Sequence, residues 1–377
     1  MSVPVPQEPS HLGAVSLPRQ TCPLCGCELD VVVVNPVGEL IGCADCARKG
    51  ALPGETLSLD EWFAPAAVAD ALGHYGISSY VATKPAAPPT QQPRAQYWEI
   101  VAGSTRYFLK RFYEWYPVPA IRHQHSVLSH LAAPPNPLPV PQWVPTLDGK
   151  SVVETGDRVW ALYYALDGRL TSQQDWMWSR PKAAETLAHL HLKLEHFEPE
   201  GEEFQPWGAW TMDIVDSVLE SWQPHPDLPA DLLGHIRERL ATRYFGYLYP
   251  ELPKLLVHGD YLPANLLWRN DGISSTVSGV LDFEKLHRDT ALYDFAWGLG
   301  DRRPPLLRAT LATYTRVRPM SVVEREALPE ALLLGALMGI DMQMTYFRNL
   351  NEVTRLAQEM HLLVRDLDSV RRVATAK

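Results

Sequence analysis

The apolar and polar positions of this chain change period several times, and each period predicts an element. Residues 106–112 alternate, as in a strand with one face on a core, and Val101-Ala102-Gly103-Ser104 reads as the hairpin turn leading into them from a strand over 96–101. A shorter strand is expected over 78–83. Ile121, Gln124, Leu128 and Leu131 recur at helical spacing and share one face. Residues 159–166 form the next strand, running into Asp167-Gly168 as a hinge. Beyond it a helix is expected over 181–196, with Leu187, Leu190, His191 and Leu194 on its buried face. His191 reads as a core residue there, since no second metal ligand accompanies it. Apolar runs at 254–257, 265–268 and 277–283, the last two separated by Asn270-Asp271-Gly272, predict three short strands with polar, chemistry-bearing residues at their ends.

Towards the N-terminus, 59–73 reads as a helix with Ser58 or Asp60 as its cap and Gly73 as its stop. Residues 31–34 and 39–41 read as two strands around Asn35-Pro36-Val37-Gly38. Prolines punctuate the remainder. Residues 1–18 have little periodicity and are expected to form a flexible tail, and 53–56 a linker. Residues 84–93 are rich in proline and lack glycine, and the proline run at 134–141 excludes a helix and predicts an extended connection.

With 377 residues and 46% hydrophobic content, the chain can bury a large core and is long enough for two or three domains. Its formal charge of −10 argues against broad nucleic-acid binding. No secretory signal or membrane-spanning run is recognised, which predicts a cytoplasmic protein without a membrane partner. A reducing compartment gives the cysteines their meaning, and all five fall between positions 22 and 46. Cys22-x-x-Cys25 and Cys43-x-x-Cys46, seventeen residues apart, have the spacing of a zinc ribbon, in which two knuckles bring four thiolates to one Zn²⁺. A zinc module over 19–50 is expected ahead of disulfides or free thiols, with Cys27 as a small buried residue outside the ligand set.

The densest chemistry lies between 258 and 294. His258-Gly259-Asp260 is followed after four residues by Asn265, and after sixteen more by Asp282 in Asp282-Phe283-Glu284. Protein-kinase loops hold a base Asp and a Mg²⁺-binding Asn at the same interval, with a metal-binding Asp further on. Phosphoryl transfer needs a hydroxyl aimed at the γ-phosphate and charge neutralised around it, so a carboxylate and metal ligands must serve separate roles. Asp260 is expected to accept the hydroxyl proton. Asn265 offers a neutral hard oxygen and Asp282 an anionic one, a mixture suited to Mg²⁺. Lys110, on the strand after the hairpin turn, is the candidate partner of the α- and β-phosphates of ATP.

The run from His258 to Asn265, Leu281-Asp282-Phe283-Glu284 and Tyr293-Asp294-Phe295-Ala296 resemble the aminoglycoside phosphotransferase and choline kinase family, with some likeness to the homoserine kinase branch. Looser likeness extends over about residues 70–350. The resemblance implies an α+β, bilobal protein-kinase-like fold with a small β-rich N-lobe and a mainly helical C-lobe. It also implies that Asp260 is the base, that Asn265 and Asp282 hold Mg²⁺, and that Asp294 buttresses the loop. With the zinc ribbon ahead, the expected domains are a tail (1–18), a ribbon (19–50), a linker helix and N-lobe (51–166) and a C-lobe (167–377).

Two departures bear on activity. The family usually places a Glu near Gln124 to pair with the strand lysine, and Gln124 is uncharged, which leaves Glu114 as an alternative partner. The proline-rich 84–93 segment removes backbone donors where a glycine-rich loop would approach phosphates. Trp207, Trp210, Asp213 and Asp216 offer a cage for an amine-bearing alcohol, although tryptophans so spaced are more often core, and Glu284 is the better candidate for a cleft role. The expected activity is an ATP-dependent small-molecule kinase acting on a hydroxyl of an amino-alcohol, aminoglycoside, sugar or similar metabolite. The alternative is a catalytically weak nucleotide-sensing protein in which the ribbon recruits a protein partner.

Overall fold

The computed structural model describes residues 32–34, 40–43, 65–83, 96–112, 116–156, 158–170, 173–198, 207–222, 225–270, 275–300, 304–347 and 350–375. These fall into two compact units, Met1–Val81 and Ala82–Lys377. In the first, β1 (Val32–Val34) and β2 (Leu40–Cys43) pair antiparallel with Val32 opposite Cys43, the hairpin expected between the two cysteine pairs. Cys22, Cys25, Cys27 and Cys46 lie outside the described residues. Helix α1 (Pro65–Gly73) opens on a proline and buries Val68, Ala71 and Leu72. It ends at the expected Gly73, while positions 59–64 of that expectation lie outside the described residues.

A five-stranded antiparallel sheet follows. Its strands are β3 (Val81–Thr83), shorter than the expected 78–83, β4 (Gln96–Ala102) and β5 (Thr105–Arg111). Ala102 pairs with Thr105 across the Gly103-Ser104 turn, with Gly103 at a φ of +61°. Helix α2 (Val118–Ala132) buries Ile121, Gln124, Leu128 and Leu131, the face its spacing predicts. Strands β6 (Val153–Thr155) and β7 (Arg158–Tyr164) complete the sheet in the order β3-β4-β5-β7-β6, which sets Lys110 opposite Tyr97 on one side and Ala161 on the other.

The remainder is mainly helical. Strand β8 (Arg169–Leu170) follows the expected hinge, and α3 (Gln173–Leu194) starts earlier than the expected 181. Pro181 sits inside α3 because its fixed φ is helical and the next turns bury Ala183, Ala184, Leu187, Leu190 and Leu194, outweighing one lost N–H donor. Helix α4 (Met212–Ser221) is capped by the Thr211 side chain, and α5 (Ala230–Arg239) follows. Strand β9 (Leu255–Val257) leads into the 258–265 loop, and β10 (Leu266–Asn270) and β11 (Ser275–Val280) leave it, pairing with each other and with β8. Strand β12 (His287–Asp289) pairs back onto β9. Then come α6 (Ala291–Asp294), α7 (Pro304–Val317), α8 (Val322–Met342), α9 (Leu350–Arg365) and α10 (Leu367–Thr375).

Helix α8 is long and apolar enough to cross a membrane by length and composition, yet most of that span is buried inside the protein. It is the central core helix, contacting α6, α9 and α10. Ser321 and Glu324 form a capping box at its start. The fully buried Glu330 of this helix is held by Arg239 at 2.5 Å, Arg243 at 3.0 Å and Arg371 at 3.6 Å.

Candidate active site

The loop after β9 is fastened from behind by Asp294, the last residue of α6. The buried carboxylate accepts the backbone N–H of His258 at 2.7 Å and of Gly259 at 2.8 Å, and lies 3.1 Å from His191 Nε2. Burial pushes its pKa up, but the hydrogen bond from His191 and the donors around it outweigh burial and hold the carboxyl below its usual range. His191 thus donates from Nε2 and accepts the Tyr314 hydroxyl at Nδ1, 2.6 Å away. Burial keeps His191 neutral. It is the core histidine the sequence suggested, and it also orients the loop's buttress.

His258 stiffens the loop from within. Its Nδ1 accepts the Asp260 N–H at 3.1 Å, and Nε2 donates to the Leu281 carbonyl at 3.0 Å, so the neutral ring uses both nitrogens. Burial lowers its pKa accordingly. Gly259 has a φ of +78°, and a Cβ there would lie 2.1 Å from the Lys285 carbonyl oxygen. Only glycine lets this loop and the Phe283–Lys285 turn come so close.

Asp260 is nearly buried, with a relative exposure of 9%. Its Oδ1 accepts Lys285 Nζ at 3.0 Å and Trp297 Nε1 at 3.4 Å, while Asn265 Nδ2 reaches its backbone oxygen at 2.8 Å and Oδ2 at 3.3 Å. Asn265 closes a short 3₁₀ turn, Pro263–Asn265, rather than opening the strand expected at 265. Spending its amide nitrogen on Asp260 leaves its amide oxygen for a cation. Trp297 comes from a π-helical turn, Phe295–Leu299, directly after α6.

Asp282 lies beyond β11 instead of within a strand, at a left-handed φ of 62° and ψ of 68°. A non-glycine residue there is uncommon, though Asp tolerates the conformation better than most. Its Oδ1 is buried without a hydrogen-bond partner. Burial first, then the Glu284 and Asp260 carboxylates, lift its pKa to about 6 against the opposing pull of Lys110 and Lys285. A buried, partnerless carboxylate oxygen close to other carboxylates fits a divalent cation, which would satisfy the orphan oxygen and reverse the local charge.

Lys110 is 4% exposed and forms an ion pair with Glu284. Burial alone would depress its pKa, but Glu284, Tyr97 and Asp282 raise it well above its usual value, so the ammonium stays charged. Tyr116 donates its hydroxyl to the Glu284 carbonyl at 2.9 Å, fixing that turn against the N-terminal part of the unit. Among the described residues the carboxylate partner of Lys110 is thus Glu284 rather than a residue of α2. Gln124 is buried with its Oε1 lacking a hydrogen bond, and the carboxylate comes from Glu284, two residues past Asp282. Glu114 and the 84–93 segment lie outside the described residues.

The aromatic cage is not assembled. Asp216 is taken by a two-pronged pair with Arg237 at 2.7 and 2.8 Å, and Trp210 packs against the core. The Trp207 ring centroid lies 6.0 Å from Lys285 Nζ. Among the described residues no group of three or more His, Cys, Asp or Glu side chains forms a metal cluster. Sequence reasoning missed Lys285 and Trp297 because no local spacing marks them, although both sit within a few residues of motifs it recognised.

Residues 93–326 match the phosphotransferase enzyme family. A homoserine kinase of Hyphomonas neptunium is 26% identical over 287 residues, spanning 72% of this chain and 83% of that kinase. Two solved structures share the fold. A microcompartment-associated aminopropanol kinase has a TM-score of 0.60 and 20% identity, covering 81% of this chain and 98% of its own. An amicoumacin kinase in complex with AMP-PNP and Ca²⁺ has a TM-score of 0.58 and 14% identity, covering 81% and 94%.

Proposed function

The chain belongs to the phosphotransferase enzyme family and acts as a small-molecule kinase on hydroxyl groups, and we propose from that premise that it moves the γ-phosphate of ATP. The acceptor is a hydroxyl of an amino-alcohol, aminoglycoside, sugar or similar metabolite. The small amino-alcohols and hydroxy amino acids come first, because curated relatives are homoserine kinases and a solved neighbour is an aminopropanol kinase. Asp260 accepts the hydroxyl proton, and Lys110 meets the α- and β-phosphates with Glu284 as its counter-ion. Asn265 and Asp282 hold Mg²⁺, which when bound neutralises charge on the phosphates.

The observation that carries this reading is the orphaned, buried Oδ1 of Asp282 close to Asp260, a cost that a bound cation would remove. The weak nucleotide sensor is not favoured, since the missing helix carboxylate is replaced by Glu284. Purified full-length chain with Mg²⁺ and ATP, tested on homoserine, aminopropanol, aminoglycosides and sugars, should release ADP and give a phosphate monoester with at least one acceptor. No acceptor-dependent ADP across the panel would overturn the reading.

For residues 19–50 we propose a zinc ribbon with Cys22, Cys25, Cys43 and Cys46 as ligands, offering a surface for a protein partner. Support comes from the spacing and from the β1–β2 hairpin that carries Cys43. Metal analysis of protein purified under reducing, chelator-free conditions should return one zinc per chain. Protein without zinc would end this proposal.

A further inference from the structure

We propose that Lys285 is a positioning residue for the transfer step, its ammonium holding one oxygen of Asp260 so that the other faces the acceptor hydroxyl. This rests on Asp260 being the base, as proposed above. Both lone-pair directions of Oδ1 are engaged, by Lys285 Nζ at 3.0 Å and Trp297 Nε1 at 3.4 Å. Among the described residues Oδ2 meets only the longer Asn265 contact at 3.3 Å, so a lone pair remains for a hydroxyl.

The backbone of Lys285 is tied to the loop that carries the base. Its carbonyl oxygen lies where a Cβ on Gly259 would be 2.1 Å away, and it accepts His287 Nδ1–H at 2.8 Å. Gly259 immediately precedes Asp260, so lysine and base are fixed relative to each other through two short, packed segments. The charges divide accordingly. Glu284 takes Lys110, Asp260 takes Lys285, and Asp282 has no hydrogen bond at its buried Oδ1.

In the step itself, the acceptor O–H bond breaks and its proton goes to Asp260 Oδ2. The hydroxyl oxygen bonds to the γ-phosphorus as the bond to the β–γ bridging oxygen breaks, its electron pair leaving with ADP. Protonation removes the negative charge that held Lys285. The ammonium is then left as counter-charge beside the new phosphate ester, which disfavours return of the proton.

Two measurements on the full chain test this. First, Lys285, which is 29% exposed, should be acylated by acetic anhydride several-fold faster in Asp260→Asn than in wild type, read by peptide mass spectrometry. Equal labelling would overturn the ion pair without needing any acceptor. Second, Lys285→Met should lower kcat on an accepted hydroxyl compound by about 100-fold while the KM for ATP stays within about twofold, and Lys285→Arg should recover part of kcat. Near-wild-type kcat in Lys285→Met, or a parallel loss of ATP affinity with no recovery by arginine, would overturn the positioning role. Wild-type protein inactive on every acceptor would sink the proposed function instead, and the labelling contrast would still decide the ion pair.

Discussion

Asp260 and Asp282 are two buried carboxylates with opposite solutions to their charge. Asp260 is surrounded by donors from Lys285, Trp297 and Asn265, which hold its carboxylate in one orientation, as the proposed base requires. Asp260→Asn should therefore cut kcat by about 10²–10⁴-fold with little change in nucleotide affinity. Steady-state kinetics with direct nucleotide titration checks the split. Asp282 instead lacks a partner at Oδ1, and its pKa of about 6 means that the metal-free fold bears an electrostatic penalty above that pH. The penalty fades as pH falls and the carboxyl protonates. Asp282→Asn keeps the left-handed tolerance and removes the charge, so it should raise the Tm of metal-free protein at pH 8 by roughly 2 °C or more and have little effect near pH 4. The same change should weaken Mg²⁺–ATP binding, so a variant with lower Tm and unchanged affinity would contradict the metal assignment.

At the scale of elements, the site is a set of short segments fastened to one another. Strand β5 brings Lys110 into a buried position, and the 3₁₀ turn Phe283–Lys285 faces it with Glu284 and secures the opposite side with Lys285. One turn thus serves both lobes. Glu284→Gln would leave the buried ammonium without its carboxylate, at a cost of about 3 kcal/mol, and should raise the KM for ATP as well as lower Tm. Thermal melts and ATP titrations measure the two effects together; an unchanged melt would mean that another carboxylate, with Glu114 the first to examine, supplies the charge. Helix α2 contributes packing rather than an ion, since its Gln124 occupies the helix face with no hydrogen bond at Oε1.

At the scale of the whole molecule, pH acts through buried histidines. His125, His191 and His258 are all held neutral by burial, with His125 lowered to about 3. Each binds a proton in the unfolded chain below about pH 6.5 but not in the folded one, so its contribution is present above that value and is lost as pH falls. The loss is up to about 1.4 kcal/mol per pH unit for each. His287 works in the opposite sense. Burial lowers its pKa, but the Asp289 side chain and the Lys285 carbonyl outweigh burial and raise it. Asp282, whose penalty fades over the same window, acts with His287, and three groups against these two predict a Tm that falls between pH 7 and pH 5 by differential scanning calorimetry. A flat or rising Tm across that window would show that the three rings are protonated in the fold.

The sequence alone determined what local periodicity and spacing can carry. Alternation specified the β4–β5 hairpin, helical spacing the buried face of α2, and the intervals from Asp260 to Asn265 and Asp282 the grouping of the site, because each depends on residues near in the chain or on one recurrent motif. Tertiary structure decided the pairings. Lys110 found Glu284 rather than Gln124, His191 found Asp294 from 103 residues away, and Asp216 was drawn to Arg237 rather than into a cage. Helix α3 ran through Pro181 because the face beyond it had a core to bury against. Which charge meets which depends on how segments far apart in sequence pack and on which side chains that packing removes from water, and spacing along the chain carries neither.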